Sequence, residues 1–192
     1  MPGAELAFEL LDGVQAAARA DELLALRAEV YANLPYAPDD SRAPLAGRFA
    51  VLCRQPGFVL AAARSGGYLL GWAAGMPLRS STSWWRDLTT TLPDEATAEQ
   101  AGRTFALAEL LVRPAWRRQG IGRSLHDLIL ASRSEERATA VVPLAAAAAQ
   151  AAFQSWGWRK IARSRALAPG SAASDVLVVT LPTADQTWAR LD

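Results

Sequence analysis

The residues best suited to chemistry lie in one short run, Arg117-Arg118-Gln119-Gly120-Ile121-Gly122-Arg123. Gly120 and Gly122 carry no Cβ, so a ligand can approach the main chain closely there. Arginine grips phosphate oxygens through two parallel N–H donors, and Arg117, Arg118 and Arg123 are all at hand. The residues that follow read as a helix starting at the glycines, with Leu125, Leu128, Ile129 and Ser132 at helical spacing. The first turn of such a helix has N–H groups without helical partners, and its dipole favours an anion. Together these features point to a held diphosphate. A plain strand–turn–helix connection is the competing explanation for the glycines.

The element that must position this run is the apolar stretch 105–112, Phe-Ala-Leu-Ala-Glu-Leu-Leu-Val, read as a buried strand. The turn Arg113-Pro114-Ala115-Trp116 joins the two. Upstream, residues 5–11 read as a strand closed by Asp12-Gly13, and 14–34 as a helix with Leu23, Leu24, Arg27, Val30 and Tyr31 on one stripe. Residues 45–55 give a second helix, ended by Pro56-Gly57. Two apolar runs, 58–63 and 68–74, flank Arg64-Ser-Gly-Gly67 as a hairpin. Residues 77–103 are polar and aperiodic and contain Trp84-Trp85; a loop of that length in a compact domain is usually functional. Downstream come a strand at 138–144 and an alanine-rich helix at 145–156, stopped by Gly157. Strands at 158–167 and 175–181 follow, with a Pro169-Gly170 turn between them and a tail after Pro182. This order predicts a mixed α/β sheet.

Composition narrows the class. A chain of 192 residues suits one domain, and 51% hydrophobic residues suffice for a packed core. A net charge of +1 gives no broad basic stripe, which disfavours nucleic acid as a partner. One cysteine, Cys53, fits a reducing cytoplasm and excludes an internal disulfide framework. One histidine, His126, and that cysteine are too few for a structural zinc site, so no metal is expected. No run approaches ~20 apolar residues, and the N-terminus lacks a signal-peptide pattern, so no membrane partner is expected.

The run Arg117-x-x-Gly120-x-Gly122, after a strand ending Leu-Leu-Val-Arg-Pro, resembles the acyl-CoA-binding motif of the GNAT superfamily of N-acetyltransferases. It lacks the third glycine of the dinucleotide fingerprint and the Gly-Lys-Ser/Thr of a nucleotide P-loop. Phe153-Gln-Ser-Trp-Gly157-Trp158 is similar to the family's Tyr-x-x-x-Gly-Phe. The order of elements is also that of the family, so the resemblance covers nearly the whole chain. It implies a single GNAT domain over 1–192, with a core motif at 105–133 and a second half-motif at 138–167. The implied fold is a six- to seven-stranded mixed sheet with helices on both faces.

The resemblance further implies acetyl-CoA as cosubstrate and direct attack of an amine on its thioester in a ternary complex, most simply the primary amine of a small molecule. By position, Leu110, Leu111 and Val112 would pair with the pantetheine, next to a bulge that opens a gap for the thioester. Arg117 takes the motif's first position, and Arg118, Gln119, Gly120, Ile121, Gly122 and Arg123 form the diphosphate loop. Glu109 is the implied acid for the amine, as base or as a hold on the ammonium. Its alternative is a structural ion pair, with Arg103 or Arg113 as partner. Phe153 occupies the place where relatives often carry a tyrosine that protonates the leaving thiolate, and phenylalanine has no proton to give.

Three accounts of that departure stand open: departure of the thiolate without a protein acid, substitution by Tyr31 or Tyr36, or binding of an acyl-CoA without turnover. Tyr36, Trp84 and Trp85, with Trp72, are candidate acceptor contacts, and packing is the alternative for the tryptophans. His126 and Cys53 read as packing residues. A homodimer through Trp-bearing or C-terminal strand surfaces is compatible with the sequence.

Overall fold

A computed structural model of the chain describes residues 5–32, 34–35, 45–165 and 173–182. The elements run β1 (Leu6–Leu11), α1 (Gly13–Ala18), α2 (Ala20–Tyr31), α3 (Leu45–Cys53), β2 (Val59–Ser65) and β3 (Tyr68–Pro77). They continue with α4 (Asp94–Thr97), β4 (Thr104–Val112), a 3-10 turn (Pro114–Trp116) and α5 (Ile121–Ala131). Then come β5 (Arg137–Pro143), α6 (Ala147–Ser155), β6 (Arg159–Ser164) and β7 (Ser174–Thr180). The strands form one mixed sheet of seven in the order β1-β2-β3-β4-β5-β7-β6, which is the predicted fold class. The chain divides into two compact units, Met1–Met76 with Leu107–Ser132, and Pro77–Ala106 with Arg133–Asp192.

In the first unit, the single helix expected over 14–34 is two helices with a break at Arg19. Asp12 is the cause of the early start. Its side chain accepts from the Gln15 N–H at 2.8 Å, and the Gln15 side chain accepts from the Asp12 N–H at 3.0 Å. That reciprocal cap begins α1 at Gly13, where a turn was expected. Arg19 then leaves helical geometry, and its guanidinium meets Glu9 of β1 at 2.6 Å.

β1, β2 and β3 are an antiparallel meander. Leu11, Leu60, Ala62, Leu69, Trp72 and Leu111 bury one face of the strands against Leu23, Leu26 and Phe49 of the helices. Each such leucine or phenylalanine contributes about 1.5–3 kcal/mol by leaving water. Trp72 is fully buried, with its indole N–H on the Leu23 carbonyl at 3.1 Å and Phe49 edge-on at 6.1 Å. Trp72 is therefore a core residue and not part of an acceptor surface. α5 packs on β2 and β1. Strand alternation turns Ala61 and Ala63 away from the leucine core, and both are nonetheless fully buried, so α5 lies on that opposite face.

In the second unit, β4 pairs in parallel with β5 through Thr104, Phe105 and Ala106, and β7 lies antiparallel between β5 and β6. The aperiodic stretch 77–103 is organised by contacts distant in sequence. Leu88 bridges to Ser164, the Thr89 N–H donates to the Arg163 carbonyl at 2.7 Å, and the Arg165 N–H donates to the Asp87 carbonyl at 2.9 Å. The Glu99 carboxylate, fully buried, accepts from Trp85 Nε1 at 3.0 Å and Thr104 Oγ1 at 2.8 Å, and pairs with Arg137 at 3.1 Å. Among the described residues no helix is long and apolar enough to cross a membrane. The turn expected at 169–170 and the tail after 182 lie outside the described residues.

At Gly71, β3 runs close against the main chain of β4. A Cβ at that position would sit 2.5 Å from the Leu111 carbonyl oxygen, which is main chain and cannot swing aside. Gly71→Ala is expected to lower unfolding free energy by about 2 kcal/mol or more, measured by urea denaturation.

Candidate active site

Glu109 stands on β4 in an otherwise apolar strand, and the structure supplies its partner from α2. Arg27 Nε meets Glu109 Oε1 at 2.7 Å, with the two side chains only 8% and 18% exposed. The Tyr31 hydroxyl also donates to Glu109. The Arg27 guanidinium lies over the Tyr31 ring at 4.9 Å. Neither arginine expected as the structural partner takes that place. Arg103 donates to the carbonyls of Ala98 and Glu95. Arg113 pairs with Glu29, donates to the Leu69 carbonyl at 2.7 Å and lies over Tyr68. Burial pushes the Glu109 carboxyl above its ordinary range; the charge and hydrogen bond of Arg27, the Tyr31 hydroxyl and the charge of Arg48 oppose that rise without cancelling it.

Beyond β4 the chain turns through Pro114–Trp116 into the arginine-glycine run. Arg117 donates from Nε to the Val112 carbonyl at 3.1 Å, and Gln119 from Nε2 to the Ala115 carbonyl at 3.3 Å. Arg118 (φ 64°) and Gly120 (φ 85°) are both left-handed. For an arginine that conformation costs about 1 kcal/mol. Arg118 is exposed, and its side chain has no hydrogen bond or ion pair among the described residues. Gly120 is the N-cap of α5 and brings no side chain to the cap. The first main-chain helical bond from this end runs from the Ser124 N–H to the Gly120 carbonyl. The N–H groups of Ile121, Gly122 and Arg123 precede it, as the uncapped start of any helix leaves them. A Cβ built on Gly120 would meet nothing within 4 Å, so this end opens on free space.

The remaining predicted site residues divide as follows. Leu111 is buried in the leucine core, while Leu110 and Val112 are half-buried. Ile121 is buried and anchors the start of α5. Arg123 is held by Asp127 through Nε at 2.7 and 2.9 Å, one turn along the helix. Phe153, Trp84 and Trp85 belong to the second unit. Phe153 is buried there against Trp156 and Trp158, with ring centroids at 5.4 and 5.0 Å. Trp84 and Trp85 direct their indole N–H groups to Thr139 and Glu99. Tyr36 lies outside the described residues. Arg27 went unassigned in the sequence, although it lies on the apolar stripe of its helix. A charge on such a stripe signals a buried partner.

His126 is buried on α5, with Nδ1 2.7 Å from Asp127 Oδ1. Burial holds its pKa below the ordinary histidine value, and Asp127 only partly restores it.

The seven-stranded sheet that carries this strand, loop and uncapped helix is a fold shared with solved acetyltransferases of the GNAT family. Residues 96–171 match the family model of the acetyltransferase (GNAT) domain. Solved structures of similar fold include the ribosomal-protein-S18-alanine N-acetyltransferase of Escherichia coli, at 15% identity, covering 92% of this chain and 94% of that one with a TM-score of 0.62. The loading GNATL domain of CurA from Lyngbya majuscula gives 11% identity, 92% and 98% coverage, and a TM-score of 0.65. Aminoglycoside 6'-acetyltransferase type Ii gives 16% identity, 91% and 97% coverage, and a TM-score of 0.63. No curated protein sequence matches the chain. The family resemblance read in the sequence is thus met again in the domain match and in the fold.

Removing Arg27 leaves a buried carboxylate uncompensated. Arg27→Met is expected to cost about 3 kcal/mol at neutral pH by chemical denaturation. That penalty should shrink as the pH is lowered and Glu109 takes up a proton. The raised carboxyl favours the folded state below its ordinary pKa and loses that contribution as pH rises through its folded value. Relative to the wild type, Glu109→Gln should therefore gain stability with rising pH across that window. His126 runs the other way. Its depressed folded pKa gives stability that is present above the ordinary histidine value and is lost as pH falls through the folded value. Unfolding midpoints of His126→Gln should accordingly fall less than those of the wild type between neutral and mildly acidic pH.

Proposed function

We propose that this protein is an acyl-CoA-dependent N-acyltransferase, moving acetyl from acetyl-CoA to a primary amine of a small molecule by direct attack in a ternary complex. The observation that carries this reading is the start of α5: an N-cap glycine in left-handed geometry, without a side-chain cap, open in front, and beside it Arg118, whose side chain has no partner among the described residues. Such an end fits a diphosphate, so the residues present suit the coenzyme. The N–H groups of residues 121–123 and the Arg118 guanidinium would hold its phosphates. Arg117 and Arg123, each engaged locally through Nε, add positive charge. Leu110, Leu111 and Val112 would present strand main chain to the pantetheine. The coenzyme supplies the activated acyl group, and the chain's task is to bind, orient and deprotonate the amine.

Glu109 takes the proton or holds the ammonium. Its burial supports a proton-accepting role, because a raised carboxyl is a stronger base than an ordinary one. Arg27 and Tyr31 fix its orientation. A reducing cytoplasm suits the single buried Cys53. As their descriptions say, the enzymes of similar fold act on a ribosomal-protein alanine in one case and on aminoglycosides in another. An amine panel for this protein should therefore include peptide N-termini beside small amines.

A second reading, acyl-CoA binding without turnover, is favoured by two observations. Phe153 has no hydroxyl and is packed between tryptophans. Glu109 is closed into an ion pair with Arg27. Coenzyme-induced thermal shift followed by thiol release across the amine panel separates the readings: shift with release supports the transferase, and shift without release supports the binder.

Gly120→Leu places a bulky side chain in the open space before α5 and should abolish the CoA-induced thermal shift; a retained shift would argue against this placement of the diphosphate. Arg118→Gly relieves a left-handed arginine and should leave the fold at least as stable, while weakening CoA about tenfold through the lost charged contact. Glu109→Gln should keep the CoA shift and lower kcat by about 100-fold or more. An unchanged rate in a stably folded Glu109→Gln protein would sink its role as base.

A further inference from the structure

β1 ends the sheet, and its outer edge has no strand partner among the described residues. Leu6, Phe8 and Leu10 are 43%, 38% and 40% exposed. They alternate along the strand and so share one face, opposite the buried Leu11. Their neighbours across the ladder are Ser65, Ala63 and Ala61 of β2. α5 covers the two alanines completely and leaves the β1 side chains half bare. A free, apolar edge is a template for pairing unless the sequence blocks it with proline, lysine, a bulge or an inward charge. β1 has no proline, lysine or bulge, and the charge on its inward face is cancelled. Its one acidic side chain, Glu9, points to the other face and is neutralised by Arg19 and Arg64 at 2.6 and 2.9 Å.

The order Leu6-x-Phe8-x-Leu10 reads the same in both directions about Phe8. We propose that β1 is the interface of a homodimer, in which two copies pair antiparallel about a two-fold axis through Phe8. In that register Phe8 meets Phe8 of the partner copy, and Leu6 and Leu10 meet twice. On the other face Ala7 meets Glu9, so no like charges stand opposite each other. The two-fold is isologous and closes at two copies, which caps the edge without building a filament. The exposed parts of the six apolar side chains amount to roughly 400 Å². Even with the edge main chain added, this is below the roughly 1,000 Å² of a stable interface, so the pair is a weak, transient one in the micromolar range or above. A net charge of +1 per chain adds little repulsion. This surface differs from the tryptophan-bearing and C-terminal surfaces considered from the sequence.

The test is sedimentation equilibrium of the full chain across the micromolar range. The wild type should approach twice the mass of one chain, and Phe8→Lys should raise the dimer dissociation constant at least about tenfold. Single-cysteine crosslinking tests the register independently of that variant, since the native Cys53 is buried. Directly opposed strand residues have Cα separations that a disulfide can span. Phe8→Cys should therefore crosslink on oxidation. Leu6→Cys alone should not, and the Leu6→Cys/Leu10→Cys double variant should. A monomer throughout the range would mean that something else covers β1, such as another part of this chain or a different protein, and would overturn the proposal. So would a dimer of unchanged mass in Phe8→Lys, or crosslinking through Leu6→Cys alone.

Discussion

A carboxylate on a buried strand needs a partner, and that need ties β4 to α2. Glu109 interrupts the apolar run of β4, and desolvation of its charge would be costly without compensation. Arg27 reaches it from the helix, itself almost wholly removed from water, and Tyr31 adds a hydroxyl donor. Each of the three is a poor choice for its surroundings alone. Together they form a satisfied polar cluster beside a leucine core. The same cluster sets the basicity of the acid that the proposed chemistry uses, so stability and reactivity draw on one set of contacts. An ion pair this buried stabilises weakly as a whole, but losing one member is severe.

The second constraint is conformational. Two left-handed residues, Arg118 and Gly120, fold the run after β4 tightly enough to deliver the chain to the first turn of α5. Glycine adopts this geometry without strain, whereas arginine does so at a cost. A non-glycine residue held in such a conformation is a feature that clusters at ligand sites. Here the strained residue carries the one guanidinium of the run that has no partner among the described residues. Upstream, Gly71 lets β3 approach the main chain of β4 at Leu111, which fixes the strand from which the loop departs.

Much of this was legible in the residues themselves. Continuous apolar runs located the strands of the hairpin and β4, because both faces of those strands are buried, and a period-3.6 pattern located α5, which buries one face. The breaks were less legible. The expected helix over 14–34 begins at Gly13 on a local cap at Asp12 and divides at Arg19, whose side chain turns to Glu9 on another element. The stretch 77–103 carried no period because its order comes from individual bonds, such as Trp85 and Thr104 on Glu99, that leave no repeating signature.

The sequence by itself determined the mixed α/β class, the donor-rich loop and the helix start that follows it, because glycine, arginine and apolar spacing act locally. Only the tertiary structure decided that Glu109 belongs to Arg27 rather than to Arg103 or Arg113, that Trp72 is core, and that Leu6, Phe8 and Leu10 stay partly exposed at an edge. Those outcomes depend on which elements meet in space. Residues 82 positions apart, such as Arg27 and Glu109, become partners only when the sheet and its helices have packed.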